Sequence, residues 1–198
     1  VLAANICTAP AGSVHAFELD PALIPLIEES LHLNRGRGRV RLNCVACADE
    51  TGRFHVFQAA QEANPSTNQV ILSNEENQDT AVQAMTLTLD HYYQDADVAP
   101  DLVKMDIEGA EALAVPGMLS LVAEVAPKLI LEVHPEDVRE LGGSPSELVE
   151  QLREAAGYDT VQQVESYRSE ITHRDQVLAP LDPSAFEGDR PVVVYFAP

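Results

Sequence analysis

The chain of 198 residues carries 32 acidic side chains against 12 basic ones, which gives a formal net charge of -20 at pH 7. A surface with this charge repels the phosphate backbone of nucleic acids, and no apolar stretch approaches the ~20 residues that a membrane span needs. With 45% hydrophobic residues the chain can bury a substantial core. We therefore expect one soluble, cytoplasmic domain over residues 1–198, with neither nucleic acid nor membrane as a partner.

Strands and helices alternate in the predicted secondary structure, and this alternation indicates parallel βαβ units in a doubly wound α/β sheet. The predicted elements, in chain order, are strand 14–17, helix 21–33, strand 40–47, extended segment 53–57, helix 91–94 after Asp90 as its N-cap, strand 102–105, helix 110–125, strand 129–133, helix 145–156 and strand 191–196. The polar segment 58–83 has no clear period, which predicts a long loop with a short strand at 70–72.

The three cysteines give little sign of metal or redox chemistry. Cys44 and Cys47 have CxxC spacing, but they lie inside the apolar run VRLNCVAC, which is typical of a strand. We interpret them as small core residues in a reducing compartment, with a redox pair as the alternative.

Acidic side chains follow two of the predicted strands. Asp106, Glu108 and Glu111 come after the strand in DLVKMDIEGAE, and Glu132 and His134 end the strand in KLILEVH. The carboxyl ends of parallel strands meet at one edge of a sheet, where open α/β proteins bind their ligands, so we predict one polar site. Such a group would suit magnesium or manganese, but the acids match no known metal-binding loop, and we predict no metal.

Several motifs together resemble a known family. The segments VHAFELDP, ACADETG, LTLD, DLVKMDIEGAE, PGM and PKLILEVHP occur in the order and at about the spacings found in FkbM-type S-adenosylmethionine-dependent methyltransferases. The resemblance is close over residues 1–135. It implies a class I methyltransferase (Rossmann-like) fold, with a mostly parallel sheet and an antiparallel C-terminal strand. The family's glycine-rich cofactor turn would precede Val1, so we expect this turn and the first strand to be missing from the sequence.

The resemblance also implies S-adenosylmethionine as the cofactor and O-methylation of a hydroxyl on a small molecule or sugar. Glu18, at the end of strand 14–17, matches the family's acid that accepts hydrogen bonds from the ribose hydroxyls, with an ordinary surface carboxylate as the alternative. Asp20 fits better as the N-cap of the next helix. Asp49 could accept the adenine amine beside the small surface of Ala48, although a turn-forming role for Asp49 is nearly as well supported.

Asp106 is the strongest catalytic candidate, because it ends the strand beside which the reactive methyl group should project, and it would also border the cofactor. The protein has to align the acceptor and take up its proton. A carboxylate is a weak base unless burial or neighbouring acids raise its pKa, and Glu108 and Glu132 are such neighbours. His134 is the alternative base, or merely a polar loop residue before Pro135.

Two structural roles complete the predicted site. Glu111 should lie in the first turn of a helix, where the helix dipole stabilises a carboxylate, and Gly109 should permit the tight turn from strand to helix.

Two other functions stay open. A non-catalytic or truncated relative would keep the fold without holding the cofactor fully. A nicotinamide-dependent oxidoreductase would use the acid at Glu18 equally well, but it would lack the antiparallel final strand expected of methyltransferases.

Overall fold

The structure is a computed structural model that describes residues 1, 4, 12–34, 38–58, 81–96, 99–164 and 178–198. Within these residues the strands are β1 (Ser13–Glu18), β2 (Arg39–Cys44), β3 (Ala46–Cys47), β4 (Phe54–Gln58), β5 (Ala81–Leu87), β6 (Leu102–Met105), β7 (Lys128–Val133), β8 (Thr160–Val164), β9 (Leu178–Pro180) and β10 (Val192–Ala197). The α-helices are α1 (Ile24–Asn34), α2 (Leu89–Ala96), α3 (Glu111–Ala114), α4 (Leu119–Val125), α5 (Pro135–Glu140) and α6 (Pro145–Ala156). Short 3₁₀ helices span Pro116–Met118 and Pro183–Glu187.

The described strands form three sheets in a mixed α/β fold. β1 pairs with β2 in parallel, and β5 lies between β3, which is parallel to it, and β4, which is antiparallel. The largest sheet has the order β6-β7-β10-β8-β9. β6 and β7 are parallel neighbours, with Met105 opposite Leu131, whereas β10 runs antiparallel to both β7 and β8. The prediction of an antiparallel final strand is therefore confirmed.

The predicted strand 40–47 and the strands β5, β8 and β9 differ from the sequence prediction. The predicted strand 40–47 is interrupted at Val45, so that β2 pairs with β1 while β3 pairs with β5. β5 begins at Ala81, inside the segment predicted as a loop, and β8 and β9 were not predicted. Glutamines within β5 and β8 weaken the apolar pattern on which strand prediction depends. The predicted strand at 70–72 lies outside the described residues, as does most of the predicted loop.

The predicted helix 110–125 is wrong as a single element, because the chain breaks into α3, the 3₁₀ helix Pro116–Met118 and α4. Proline lacks the N–H that a continuous helix requires. Gly117 reinforces the break, since a Cβ at this position would lie 2.1 Å from the carbonyl oxygen of Ala48. The break thus lets the 3₁₀ helix pack directly on the backbone that follows β3.

Asp90 caps a different helix from the predicted one. Its carboxylate accepts the backbone N–H groups of Ser120 and Leu121, in the first turn of α4. The start of α2 is capped instead by Thr88, whose Oγ1 accepts the N–H of His91. Asp90 therefore fixes α4 against α2, because a carboxylate at a helix N-terminus satisfies N–H groups that have no partner within the helix.

The main core joins the five-stranded sheet to the helices after β6. Leu131 of β7 and Val194 and Phe196 of β10 are buried together with Val122 of α4 and Leu152 of α6. Burying one such side chain contributes about 1.5 to 3 kcal/mol. This packing makes β7 and its neighbours a rigid support for whatever lies at their ends. Within the described ranges, every helix is too short or too polar to cross a membrane.

The two described CxxC cysteines have different surroundings and form no disulfide in the described part of the chain. Cys44 is exposed at the end of β2, so its prediction as a core residue is wrong. Cys47 packs against the main core, and burial raises the pKa of its thiol to about 12. A thiol with this pKa is almost fully protonated at neutral pH, which makes it a poor redox partner for Cys44.

Candidate functional site

The ends of β6 and β7 bring three of the predicted site residues together. Asp106 follows the last residue of β6, Glu132 lies near the end of β7, and His134 follows β7 directly. One carboxylate oxygen of each acid and one ring nitrogen of His134 all lie within 4.8 Å of one another. This proximity follows from the parallel pairing of the two strands, which places their carboxyl ends at the same edge of the sheet.

A strained turn connects β6 to α3 and brings Glu108 and Glu111 to this edge. Glu108 has a φ of 51° and Gly109 a φ of 93°, both in the left-handed region. Only glycine adopts this region without cost, and non-glycine residues found there often mark functional sites. A Cβ at position 109 would lie 2.3 Å from the Cβ of Asp137 in α5. The predicted role of Gly109 in a tight turn is confirmed, and close contact with α5 adds a second reason for glycine.

This turn gives a test of how tightly the edge is packed. Gly109→Ala should lower the free energy of unfolding by about 2 to 3 kcal/mol, because it combines left-handed strain with a clash against Asp137. Gly52→Ala is the matched control, since Gly52 has a φ of 85° but nothing within 4 Å of the added Cβ. The Gly52→Ala variant should lose only about 1 kcal/mol of its free energy of unfolding. Urea denaturation measures both, and equal losses would contradict the close packing of Gly109 on α5.

His134 lies at the centre of the acidic group. Its Nδ1 is 3.3 Å from Oε1 of Glu111, and its Nε2 is 3.3 Å from Oε2 of Glu108 and 3.9 Å from Oε1 of Glu132. Burial by itself lowers the pKa of His134, but the hydrogen bond with Glu111 and the charges of the three surrounding carboxylates outweigh it, so the pKa is raised above its ordinary value. His134 lies between β7 and α5, directly before Pro135, as the alternative interpretation expected, but it is only 5% exposed.

Glu111 has a larger role than its sequence position suggested. Its side chain is fully buried, and Oε1 accepts the N–H of Ile107 while also facing Nδ1 of His134. The second oxygen of Glu111 and Nε2 of His134 are buried without a hydrogen-bond partner among the described residues. Glu108 lies in the left-handed turn before α3, whereas Glu111 is the first residue of that helix. The contact of Glu111 with His134, which lies between β7 and α5, is not apparent from the sequence around Glu111.

Asp106 forms the outer side of the group. Its side chain is 34% exposed, and Oδ2 lies 2.8 Å from Nζ of Lys104, which is itself largely exposed. Lys104 was not among the predicted site residues. It lies on β6 two residues before Asp106, and side chains two residues apart along an extended chain point to the same face. The site is therefore open to solvent at Asp106 and closed at Glu111.

Glu18 lies at the carboxyl end of β1, where its Oε1 accepts the N–H of Asp20 at 2.8 Å. Asp20 in turn accepts the N–H of Ala22 through Oδ1, in the turn that precedes α1. The helix begins at Ile24, three residues later than predicted, so Asp20 stabilises this turn and not the first helical residue. The hydrogen bond from Asp20 fixes the carboxylate of Glu18 at the end of the strand.

The residues that follow Glu18 and Asp106 pack against the same cluster. Leu19 and Ile107 both contact a small group of buried alanines formed by Ala46, Ala84 and Ala110. This shared cluster is the structural link between the residue after β1 and the turn after β6.

The two remaining predicted cofactor residues differ in exposure. Ala48 is 3% exposed, donates its N–H to the carbonyl oxygen of Leu87, and is covered on its backbone side by Gly117. Little of its side chain is left for a ligand. Asp49 is exposed in the turn after β3. A contact between either residue and adenine stays a prediction.

Comparison with known proteins identifies the family. Residues 2–160, which are most of the chain, match the family described as "Methyltransferase FkbM domain". The chain belongs to the FkbM methyltransferase family. The resemblance predicted from the sequence motifs is thus confirmed, and family membership supports a methyltransferase over a nicotinamide-dependent oxidoreductase.

A solved structure of a family member has a similar fold. The crystal structure of the methyltransferase FkbM from Methylobacillus flagellatus KT matches with a TM-score of 0.55 and 16% sequence identity. The match covers 93% of this chain and 36% of that chain, so this chain spans about a third of the length of its FkbM relative. At this identity the similarity shows the mixed α/β fold. No curated protein matches the sequence.

Proposed function

We propose that the protein is an S-adenosylmethionine-dependent O-methyltransferase that acts on a hydroxyl group of a small molecule or sugar. The observation that carries this proposal is the group of Asp106, Glu132 and His134 at the ends of two adjacent parallel strands in an FkbM domain. We further propose a single class I methyltransferase domain in a cytoplasmic protein. The parallel pairs β1-β2 and β6-β7 and the antiparallel β10 support this fold assignment.

The residues at the end of β1 fit a nucleoside cofactor. Glu18 is only partly buried, and the N–H of Asp20 occupies Oε1, which leaves Oε2 without a partner among the described residues. A carboxylate held in this way can accept hydrogen bonds from two vicinal ribose hydroxyls. When bound, the cofactor supplies an electrophilic methyl group on a sulfonium. In this proposal Glu18 holds the ribose, and Asp49 and Ala48 border the adenine.

The residues at the ends of β6 and β7 fit the acceptor side. Asp106 is the exposed member of the group, so it can contact an incoming hydroxyl, orient it and accept its proton. Glu132 and His134 are buried beside it, Glu108 is partly exposed, and these three residues are the other catalytic candidates. The buried Glu111 holds the ring of His134 in place through Nδ1.

Calorimetry on the whole protein tests the proposed function. S-adenosylmethionine and its demethylated product should both bind with micromolar affinity. Glu18→Ala should weaken the binding of each about 100-fold, because it removes two hydrogen bonds to a charged acceptor. Glu28→Ala, an exposed position on α1, is the matched control and should bind as the unmodified protein does.

The possible outcomes separate the alternatives. No heat with either ligand would favour a non-catalytic relative. Binding that is unchanged in Glu18→Ala would refute the ribose role of Glu18 while leaving the family assignment intact.

A further inference from the structure

We propose that Asp106, Glu132 and His134 form a binding site for a divalent cation of the magnesium or manganese class. This inference rests on the proposed function for its role, since a cation here could hold the acceptor's hydroxyl oxygen and lower its pKa.

The three proposed ligands are close together. Their ligand atoms lie within 4.8 Å of one another. Six-coordinate magnesium has bonds of about 2.0 to 2.1 Å, so two ligand atoms on opposite sides of the ion are separated by about 4.2 Å and two adjacent ones by about 3 Å. Three ligands include at least two adjacent pairs, so the side chains need to close by up to about 2 Å to reach bonding distance. Asp106 is on the solvent side of the group, so the ion has an entry path and positions for water or acceptor oxygens.

One ring nitrogen of His134 lacks a hydrogen bond. Its Nε2 is buried and has no hydrogen-bond partner among the described residues. Oε2 of Glu108 lies 3.3 Å from this nitrogen, close enough for an ion pair but without the geometry of a hydrogen bond. A buried nitrogen that makes no hydrogen bond costs about 1 to 3 kcal/mol, and a cation bound to it would remove this cost.

The environment of the other ring nitrogen supports the same conclusion. Nδ1 of His134 faces Oε1 of Glu111 at 3.3 Å. A histidine that binds a metal through one nitrogen usually donates the other N–H to a carboxylate or carbonyl oxygen, which fixes the tautomer and the ring orientation. Glu111 is fully buried and is placed to accept this hydrogen bond. With the proton on Nδ1, the lone pair is on Nε2, which is then the nitrogen available to a cation.

The charge of this group of side chains also favours a bound cation. Four carboxylates surround His134 and Lys104, so acidic groups exceed basic groups by two even when His134 is protonated. A divalent cation balances this excess. Lys104 is the competing cation, because its Nζ lies 2.8 Å from Oδ2 of Asp106. Carboxylate oxygens with a single imidazole favour magnesium or manganese over zinc or copper, which prefer more nitrogen or sulfur ligands.

Manganese binding measured by electron paramagnetic resonance tests the site without cofactor or acceptor. Titration of the whole protein with MnCl₂ should show one site that is tighter than the weak binding expected of a surface with this charge. Asp106→Asn should weaken that site at least about tenfold. Glu124→Gln removes the same charge from an exposed position on α4 and should leave the site unchanged.

A second pair of variants tests the predicted competition. Lys104→Gln should tighten manganese binding several-fold, because it removes the cation that now pairs with Asp106. Lys128→Gln is the matched control, since Lys128 is exposed at the opposite end of the neighbouring strand β7 and should have no such effect. Asp106 and Lys104 are both exposed enough for these variants to fold, which thermal denaturation verifies.

Two outcomes would overturn the proposal. One is the absence of a tight manganese site, and the other is equal binding by Asp106→Asn and Glu124→Gln, which would indicate surface acids only. Calorimetry with S-adenosylmethionine distinguishes this failure from that of the proposed function. Manganese binding without cofactor binding would support the cation site and contradict the proposed function. Cofactor binding without manganese binding would support the proposed function and contradict the cation site.

Discussion

Glu111→Ala should lower the free energy of unfolding by about 3 to 5 kcal/mol, which is the usual cost of removing one member of a buried charged pair. The substitution leaves Nδ1 of His134 and the N–H of Ile107 without their acceptor, and it opens a void in a fully buried position. His134 would then be an uncompensated polar group in the interior. Urea denaturation in metal-free buffer measures the loss.

Two further variants separate the loss of the buried contacts from the loss of a negative charge. Glu111→Gln keeps the shape and the accepting oxygen but removes the charge, so its free energy of unfolding should fall by less than that of Glu111→Ala. Glu124→Ala removes an exposed acid from α4 and should change stability by no more than about 0.5 kcal/mol. If Glu111→Ala were as stable as Glu124→Ala, the account of Glu111 as the support of His134 would be wrong.

Asp106→Asn should keep the affinity for S-adenosylmethionine but lower the rate of methyl transfer about 10²- to 10⁴-fold. This range is expected when an enzyme loses a group that takes up the acceptor's proton or positions its oxygen. The asparagine has nearly the same shape, so the fold and the end of β1 should be unaffected. The rate is measured as release of the demethylated cofactor with an acceptor found by screening hydroxylated small molecules and sugars.

Asp101→Asn is the control, because Asp101 is exposed immediately before β6, at the opposite end of the same strand. It should keep full activity. A fully active Asp106→Asn variant would contradict the role of Asp106 and move the base to His134. A loss of activity together with a loss of manganese binding would indicate that Asp106 acts through the cation.

The sequence predicted most of the sheet that supports the site. β6, β7 and β10 are short apolar runs bounded by polar residues, and such runs indicate buried strands directly. The pairing of β6 and β7 could be inferred because a helical segment separates them, which makes parallel neighbours the usual arrangement. The position of Asp106 and Glu132 at one edge followed from that inference.

The parts that sequence reasoning missed depend on tertiary contacts. Glu111 and His134 are buried, and close to them in the sequence Asp137 of α5 packs against the turn at Gly109. The break after α3 depends on the contact between Gly117 and Ala48, which are far apart in the sequence. Asp90 caps α4 across a similar separation. Local periodicity carries no information about such partners, so a carboxylate in a first helical turn looked sufficiently explained by the helix dipole.

We propose that β1, β6 and β7 bring Glu18, Asp106 and Glu132 to one edge of the molecule, which binds the cofactor. A crystal structure of the whole protein with S-adenosylhomocysteine measures this directly. We expect the ribose hydroxyls about 2.5 to 3.0 Å from the carboxylate oxygens of Glu18, and the sulfur directed toward Asp106. A ligand bound elsewhere, or a ribose that leaves Glu18 untouched while the sulfur points away from β6, would contradict the account.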